Sequence, residues 1–179
     1  IDLAAELGME FFLFDAGWYG MDSRGWWPGK LGDWDVHNWN PNGFAPLREY
    51  IHQKGMLFGL WMEPEAVGME SRLVREHPDW IAEAYDGERR LGGLIDLTNA
   101  EAARWMEEAI ARVVEDNDLD FCRLDHNVGG LGMGLRSRRH GWVENGWWRF
   151  YDALYGTYER LRARFPALIL ETCAGGGGR

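Results

Sequence analysis

The chain has 179 residues, and 46% of them are hydrophobic, which is enough for a globular domain with a sizeable core. Its formal net charge of −10 disfavours nucleic acids and anionic membrane surfaces, because their phosphates bind clustered Lys and Arg. No apolar run approaches the roughly 20 residues that a membrane-spanning helix needs. A neutral substrate is not excluded.

Short apolar runs alternate with helical patterns along the chain. The runs are typical of strands buried on both faces and cover 9–14, 56–61, 93–97, 119–124 and 167–171. Helical spacing predicts helices at 44–55, at 99–117 with Asn99 as N-cap, and at 147–166, ended by Pro166. The segment 129–146 reads as a long loop, and such loops are usually functional. This order predicts a parallel α/β sheet with right-handed crossovers.

Polar and glycine-rich segments follow every predicted strand, and in a parallel sheet they meet at one edge. That edge carries the active site in a barrel, or the ligand crevice in an open sheet. Five strand–helix units are present, whereas a complete eightfold barrel needs about 250 residues. We therefore expect one domain over 1–179, an incomplete (β/α)8 TIM barrel with about five units, and interpret the chain as a fragment.

Carboxylates at the strand ends carry the strongest chemical signal. No phosphate loop, dinucleotide fingerprint, serine elbow or zinc-ligand spacing is present, so we expect neither a cofactor nor a metal. Carboxylates around a pocket suggest glycoside hydrolysis, and the eleven tryptophans offer flat faces for sugars as well as core packing. The strand-end carboxylates are Asp15, Glu63, Glu65, Asp96, Asp125 and Glu171.

Seven segments in order resemble the barrel of glycoside hydrolase family 36, the melibiase type of α-galactosidase. They are "FFLFDAGWYG", "LGDWDV", "GLWMEPE", "EHPDW", "LIDLTN", "RLDHN" and "ETCAGGGGR", and they span nearly the whole chain. The resemblance implies an eightfold α/β barrel and retaining hydrolysis of terminal α-linked galactose, without a metal or cofactor.

The resemblance implies that Asp125 in "RLDHN" is the catalytic nucleophile. Arg123 replaces a lysine of the family and Asn127 is retained, and both would donate to sugar hydroxyls or keep the Asp125 carboxylate ionised. The alternative interpretation of Asp125 is a strand-end residue that caps the following turn.

The resemblance also implies that Asp15 binds the substrate, but Ala16 stands where the family has a second aspartate. Because a site that hydrogen-bonds a hydroxyl discriminates sharply, this change leaves the sugar specificity open. An α-N-acetylgalactosaminidase or another α-glycosidase of the same family is the first alternative. A non-catalytic carbohydrate-binding fragment is the second.

Further substrate contacts follow from the same resemblance. Trp34 is similar to a sugar-facing tryptophan, with core packing as the alternative, and Arg90 aligns with a substrate-binding arginine, although Arg89 leaves the register open. Cys173 and Gly176 are similar to positions that line the galactose pocket. Glu63, Glu65, Asp96 and Glu171 are interpreted as supporting residues that do not attack the sugar.

The acid/base residue of the family is an aspartate after the sixth strand, so we expect it beyond Arg179 and assign it to no residue of this chain. The two cysteines, Cys122 and Cys173, are expected to be free thiols. We expect an oligosaccharide substrate, no nucleic-acid or membrane partner, and a cytoplasmic location; homo-oligomerisation is left open. No signal peptide is visible.

Overall fold

The computed structural model describes residues 1–20, 27–35, 42–82, 93–127, 136–139 and 141–175. Its helices and strands, in chain order, are α1 (Asp2–Glu6), β1 (Phe11–Phe14), α2 (Ala45–Gln53), β2 (Leu57–Met62), β3 (Ala66–Val67), α3 (Arg72–Glu76), β4 (Gly93–Leu94), α4 (Ala100–Asn117), β5 (Phe121–Leu124), β6 (Arg136–Arg139), β7 (Trp142–Asn145), α5 (Trp147–Arg164) and β8 (Ile169–Thr172). Short 3₁₀ turns lie at Trp27–Lys30 and Pro78–Trp80.

The centre of the fold is a parallel sheet of four strands in the order β1-β2-β5-β8. The register pairs Leu13 with Gly59, Trp61 with Arg123, and Arg123 with Glu171. Paired residues of neighbouring parallel strands point to the same face, so Trp61, Arg123 and Glu171 share one face of the sheet. The carboxyl ends of all four strands therefore meet at one edge, as the sequence predicts.

The three long helices form where the sequence predicts them. The Asn99 side chain accepts hydrogen bonds from the backbone N–H of Glu101 at 2.9 Å and of Ala102 at 3.4 Å, which caps α4. Helix α4 ends at Asn117, and its C-cap residue Asp118 adopts the left-handed conformation, with φ 48°. Helix α5 ends at Arg164, before Pro166.

The prediction that 93–97 is a strand of the parallel sheet is wrong. Only Gly93–Leu94 is paired as a strand, and it runs antiparallel to Ala66–Val67. The chain then turns, because Asp96 Oδ1 accepts from the backbone N–H of Thr98 at 2.9 Å and from its hydroxyl at 2.6 Å. The apolar residues of this run cover β3 and the core instead. Within the described residues the incomplete barrel therefore has four parallel strands, and not the five predicted.

The loop prediction for 129–146 is wrong in part. Residues 136–139 and 142–145 form an antiparallel hairpin, β6-β7. Gly141, with φ 85°, supplies the positive φ that a tight hairpin connection requires. The remainder of the predicted loop before Arg136, and residue 140, lie outside the described residues.

One hydrophobic core lies between the sheet and the helices. Phe58, Leu60 and Met62 alternate along β2 and are fully buried, and they belong to the same cluster as Met106 of α4 and Leu154 of α5. Both cysteines are free, as predicted. Burial raises the pKa of the Cys122 thiol to about 12. None of the helices in the described part of the chain is long and apolar enough to span a membrane.

Candidate active site

A cleft of about 420 Å³ opens at the carboxyl edge of the sheet. It is lined by Asp15, Ala16, Trp61, Arg123, Asp125 and Asn127. The first two follow β1, Trp61 is the penultimate residue of β2, and the last three come from β5 and the residues directly after it. Four of the substrate-binding and catalytic residues predicted from the sequence are therefore brought together: Asp15, Arg123, Asp125 and Asn127.

Asp125 is held in the cleft by three hydrogen-bond donors. Its Oδ2 accepts from Trp61 Nε1 at 3.0 Å and from Asn127 Nδ2 at 2.8 Å, and its Oδ1 accepts from the backbone N–H of His126 at 2.8 Å. The side chain is largely buried, with an exposed fraction of 8%. Burial alone raises the pKa of Asp125, but these donors, together with the Cys173 thiol, outweigh it and lower the pKa below its ordinary value. The carboxylate is therefore ionised at neutral pH.

Arg123 lines the same cleft and pairs with the neighbouring strand. Its Nε donates to Glu171 Oε2 at 3.0 Å, and this hydrogen bond raises the pKa of the Arg123 guanidinium. The two residues are register partners on β5 and β8. Glu171 thus fixes the direction of Arg123 along the cleft wall.

Glu63 and Glu65 lie behind the cleft, with exposed fractions of 2% and 0%. The backbone N–H of Asn127 donates to Glu63 Oε1, and Asn127 Nδ2 lies 3.4 Å from Glu63 Oε2. Glu65 Oε2 lies 3.2 Å from His126 Nδ1. Each glutamate therefore contacts one of the two residues that follow Asp125. This placement favours the supporting role predicted for them.

Trp34 is placed behind the cleft wall rather than in it. Its exposed fraction is 3%, and its ring centroid lies 4.6 Å from that of Tyr19 and 6.0 Å from that of Trp18. The ring of Tyr19 in turn stacks on Trp61 at 6.3 Å. This position matches the core-packing alternative, and contact with a sugar stays a prediction.

The other predicted contacts divide into two groups. Cys173 is half-buried beside Asp125, and its backbone N–H donates to Leu124 O at 3.0 Å. Arg90 and Gly176 lie outside the described residues, so their predicted roles are untested. Asp96 caps the turn before α4 and is not among the residues that line the cleft.

Trp61 is not among the site residues that the sequence predicts, yet it donates directly to Asp125. A tryptophan inside an apolar strand is normally a core residue, and Trp61 is indeed only 3% exposed. The available signal was its place in "LWMEPE", at the carboxyl end of β2.

Comparisons with known proteins give the relatives of this chain. The melibiase family model matches residues 1–179. Alpha-galactosidase 2 from Pediococcus pentosaceus is 33% identical over 100% of this chain and 25% of its own length. The alpha-galactosidase AgaA from Geobacillus stearothermophilus is 32% identical over 98% of this chain and 24% of its own length. The chain spans about a quarter of the length of these curated relatives.

Solved structures match over the same span. A variant of the glycoside hydrolase family 36 enzyme AgaA in complex with raffinose superposes with a TM-score of 0.84 at 31% identity, over 99% of this chain and 25% of that one. A further AgaA variant in complex with stachyose gives a TM-score of 0.83 at 31% identity, over 98% of this chain and 25% of that one. These matches confirm the predicted fold class.

Proposed function

Because the chain belongs to the melibiase family, we propose that it carries the nucleophile half of the active site of a retaining α-galactosidase. Such an enzyme removes terminal α-linked galactose from oligosaccharides. The observation that carries the proposal is the Asp125 carboxylate, which is held by Trp61, Asn127 and the His126 N–H at the carboxyl edge of a parallel sheet.

The geometry supports a two-step mechanism. An Asp125 oxygen attacks the anomeric carbon, the glycosidic C–O bond breaks, and a covalent glycosyl-enzyme forms. Oδ1 is the freer oxygen, because one of the three N–H donors reaches it whereas two reach Oδ2. Water then attacks the same carbon and releases Asp125, with net retention of configuration. In a retaining site the general acid lies about 5–5.5 Å from the nucleophile, and no residue of this chain is assigned that role.

The cleft offers groups for recognising sugar hydroxyls. Asp15 is exposed at the cleft, and its carboxylate can accept from a sugar hydroxyl in addition to the backbone N–H of Ala16, which donates to Oδ1 at 2.7 Å. Arg123 presents N–H donors to the same cleft from β5, which is separated from β1 by β2. Relatives crystallised with raffinose and stachyose support an oligosaccharide substrate with a terminal α-galactosyl unit.

Ala16 also lines the cleft, which keeps an α-N-acetylgalactosaminidase as the second candidate function. A methyl group in place of a carboxylate leaves more room and one fewer acceptor beside the sugar. The cytoplasmic location, the absence of nucleic-acid and membrane partners, and homo-oligomerisation stay predictions.

The test uses a full-length polypeptide that carries these residues, assayed on aryl α-galactosides and aryl α-N-acetylgalactosaminides. We expect α-galactoside hydrolysis with retention, read from the first-formed anomer by NMR. Asp125→Ala should lose turnover by several orders of magnitude, and azide should restore part of it by forming a glycosyl azide. Asp96→Asn, which changes a carboxylate outside the cleft lining, serves as the matched control.

A 2-fluoro glycoside that traps the covalent intermediate identifies the nucleophile directly. We expect the label on Asp125. A label on Asp15, Glu63 or Glu65 would contradict the assignment, and inversion of configuration would contradict the mechanism. Preferential hydrolysis of α-N-acetylgalactosaminides would favour the second candidate.

A further inference from the structure

The side chain of Asn127 is engaged by two carboxylates at once. Its Nδ2 lies 2.8 Å from Asp125 Oδ2 and 3.4 Å from Glu63 Oε2, and its backbone N–H donates to Glu63 Oε1. An amide nitrogen carries two hydrogen atoms, which matches these two acceptors. Glu63 therefore accepts hydrogen bonds from both the backbone and the side chain of Asn127.

These hydrogen bonds select one of the two orientations of the Asn127 side-chain amide. If the amide turned by half a rotation, its oxygen would face two carboxylates, and both contacts would become repulsive. Glu63 is nearly fully buried, with an exposed fraction of 2%, so water does not compete for its oxygens. The amide N–H is thereby kept pointed at Asp125 Oδ2.

We propose that Glu63 is a positioning residue for the nucleophile, which acts through Asn127 to hold the Asp125 carboxylate in its attacking orientation. The proposal rests on the nucleophile role assigned to Asp125 above. It gives Glu63 a specific task and distinguishes it from Glu65, which lies on the same segment but faces His126 Nδ1 at 3.2 Å.

The kinetic test replaces one carboxylate by its neutral isostere in the full-length polypeptide. Because hydrogen bonds to charged groups are the strong ones, Glu63→Gln should lower kcat on an aryl α-glycoside by about 10- to 100-fold. KM should change by less than about threefold, since Glu63 does not line the cleft. Glu65→Gln is the matched control, because Glu65 is equally buried on the same segment and faces His126 Nδ1, and its kcat should fall much less. Equal losses in both variants would mean a general structural effect and overturn the proposal.

A double-mutant cycle tests the route of the effect. If Glu63 acts through Asn127, then Glu63→Gln should lower kcat by less than about threefold once Asn127→Ala is already present. Additive losses would overturn the proposal. Thermal unfolding of each variant separates a loss of folding from a loss of positioning.

A structural readout keeps this test separate from the proposed function. Crystal structures of the full-length wild type and of Glu63→Gln are compared at the Asn127 Nδ2 to Asp125 Oδ2 distance. We expect this hydrogen bond to be lost in the variant, whichever sugar the enzyme hydrolyses. Loss of the bond together with no activity on α-galactosides would support the positioning role and contradict the α-galactosidase proposal. A bond that persists at about 2.8 Å in Glu63→Gln would overturn the positioning role.

Discussion

The chemistry of the cleft depends on how one carboxylate is solvated by the protein. Asp125 exchanges water for an indole N–H, an amide N–H and a backbone N–H, and each of them stabilises the charged form. Burial opposes this effect but does not reverse it, so the pKa of Asp125 stays below its ordinary value. A nucleophile must be ionised, and these fixed donors keep it so without proton transfer.

Trp61→Phe should show how much the indole N–H of Trp61 contributes to the lowered pKa of Asp125. The substitution keeps an aromatic ring beside Tyr19 but removes the N–H that donates to Asp125 Oδ2. The pKa of Asp125 should rise, and since activity is lost as pH falls through that pKa, the acid limb of kcat/KM should move to higher pH. A hydrogen bond to a charged group corresponds to a shift of about one pH unit.

The measurement is the pH profile of kcat/KM in the full-length polypeptide. Trp80→Phe is the control, because Trp80 is a buried tryptophan that stacks on His77 at 3.7 Å and does not line the cleft. Its acid limb should coincide with that of the wild type. An unchanged acid limb in Trp61→Phe would show that the indole does not tune Asp125.

Asp125, Asn127, Arg123 and Asp15 could be placed from the sequence, because strand ends in a parallel sheet converge at one edge. The contact of Trp61 with Asp125 and the hydrogen bonds from Asn127 to Glu63 could not be predicted from the sequence. Both depend on the register between β2 and β5. A sequence fixes which residues follow a strand but does not state which neighbouring strand lies beside it.

Among the elements, β2 is shaped by a single glycine. The rings of Phe11 and Phe121 stack face to face with centroids 4.8 Å apart, across the strand that carries Gly59. A Cβ atom at Gly59 would lie 2.8 Å from Phe121 Cδ1 and 2.9 Å from its carbonyl oxygen. The glycine is therefore required for close approach of the strands and their aromatic side chains.

Gly59→Ala should destabilise the protein by about 1–3 kcal/mol, the usual cost of overpacking. Gly156→Ala in α5 is the matched control, because its Cβ would approach only the flexible end of Arg160, at 3.1 Å, and alanine favours a helix by about 1 kcal/mol. Urea unfolding should therefore give opposite signs for the two variants. If Gly59→Ala left the free energy of unfolding unchanged, close packing at Gly59 would not be required for stability.

Local signals explain which elements could be predicted. Helices α2, α4 and α5 carry their spacing and end signals within their own sequence, so they were found. Strand β4 was assigned to the wrong sheet, because a short apolar run does not reveal whether its partner is parallel or antiparallel. The sequence does not predict the hairpin β6-β7, because all four residues of β6 are polar and β7 has only two apolar residues, so no apolar run marks either strand.

At the scale of the whole molecule, the four-stranded sheet has two strands with one neighbour each. In the described part of the chain, β1 pairs only with β2 and β8 pairs only with β5. Phe11 of β1, Leu57 of β2 and Ile169 of β8 lie on one face of the sheet and are 45%, 37% and 47% exposed. Unpaired edges next to exposed apolar residues are templates for pairing with another chain.

The 179-residue chain, expressed alone, should therefore self-associate, although its net charge of −10 opposes close contact. At about 0.15 M salt the Debye length is only about 8 Å, so this repulsion is largely screened and strand pairing prevails. Sedimentation velocity should show species larger than the 20.6 kDa monomer. Ile169→Lys, which places a charge on the open edge, should shift the distribution toward the monomer. Leu7→Lys changes an equally apolar residue, 65% exposed at the end of α1, and should leave the association unchanged. A wild-type chain that sediments as a monomer and unfolds cooperatively would contradict this view of the open sheet.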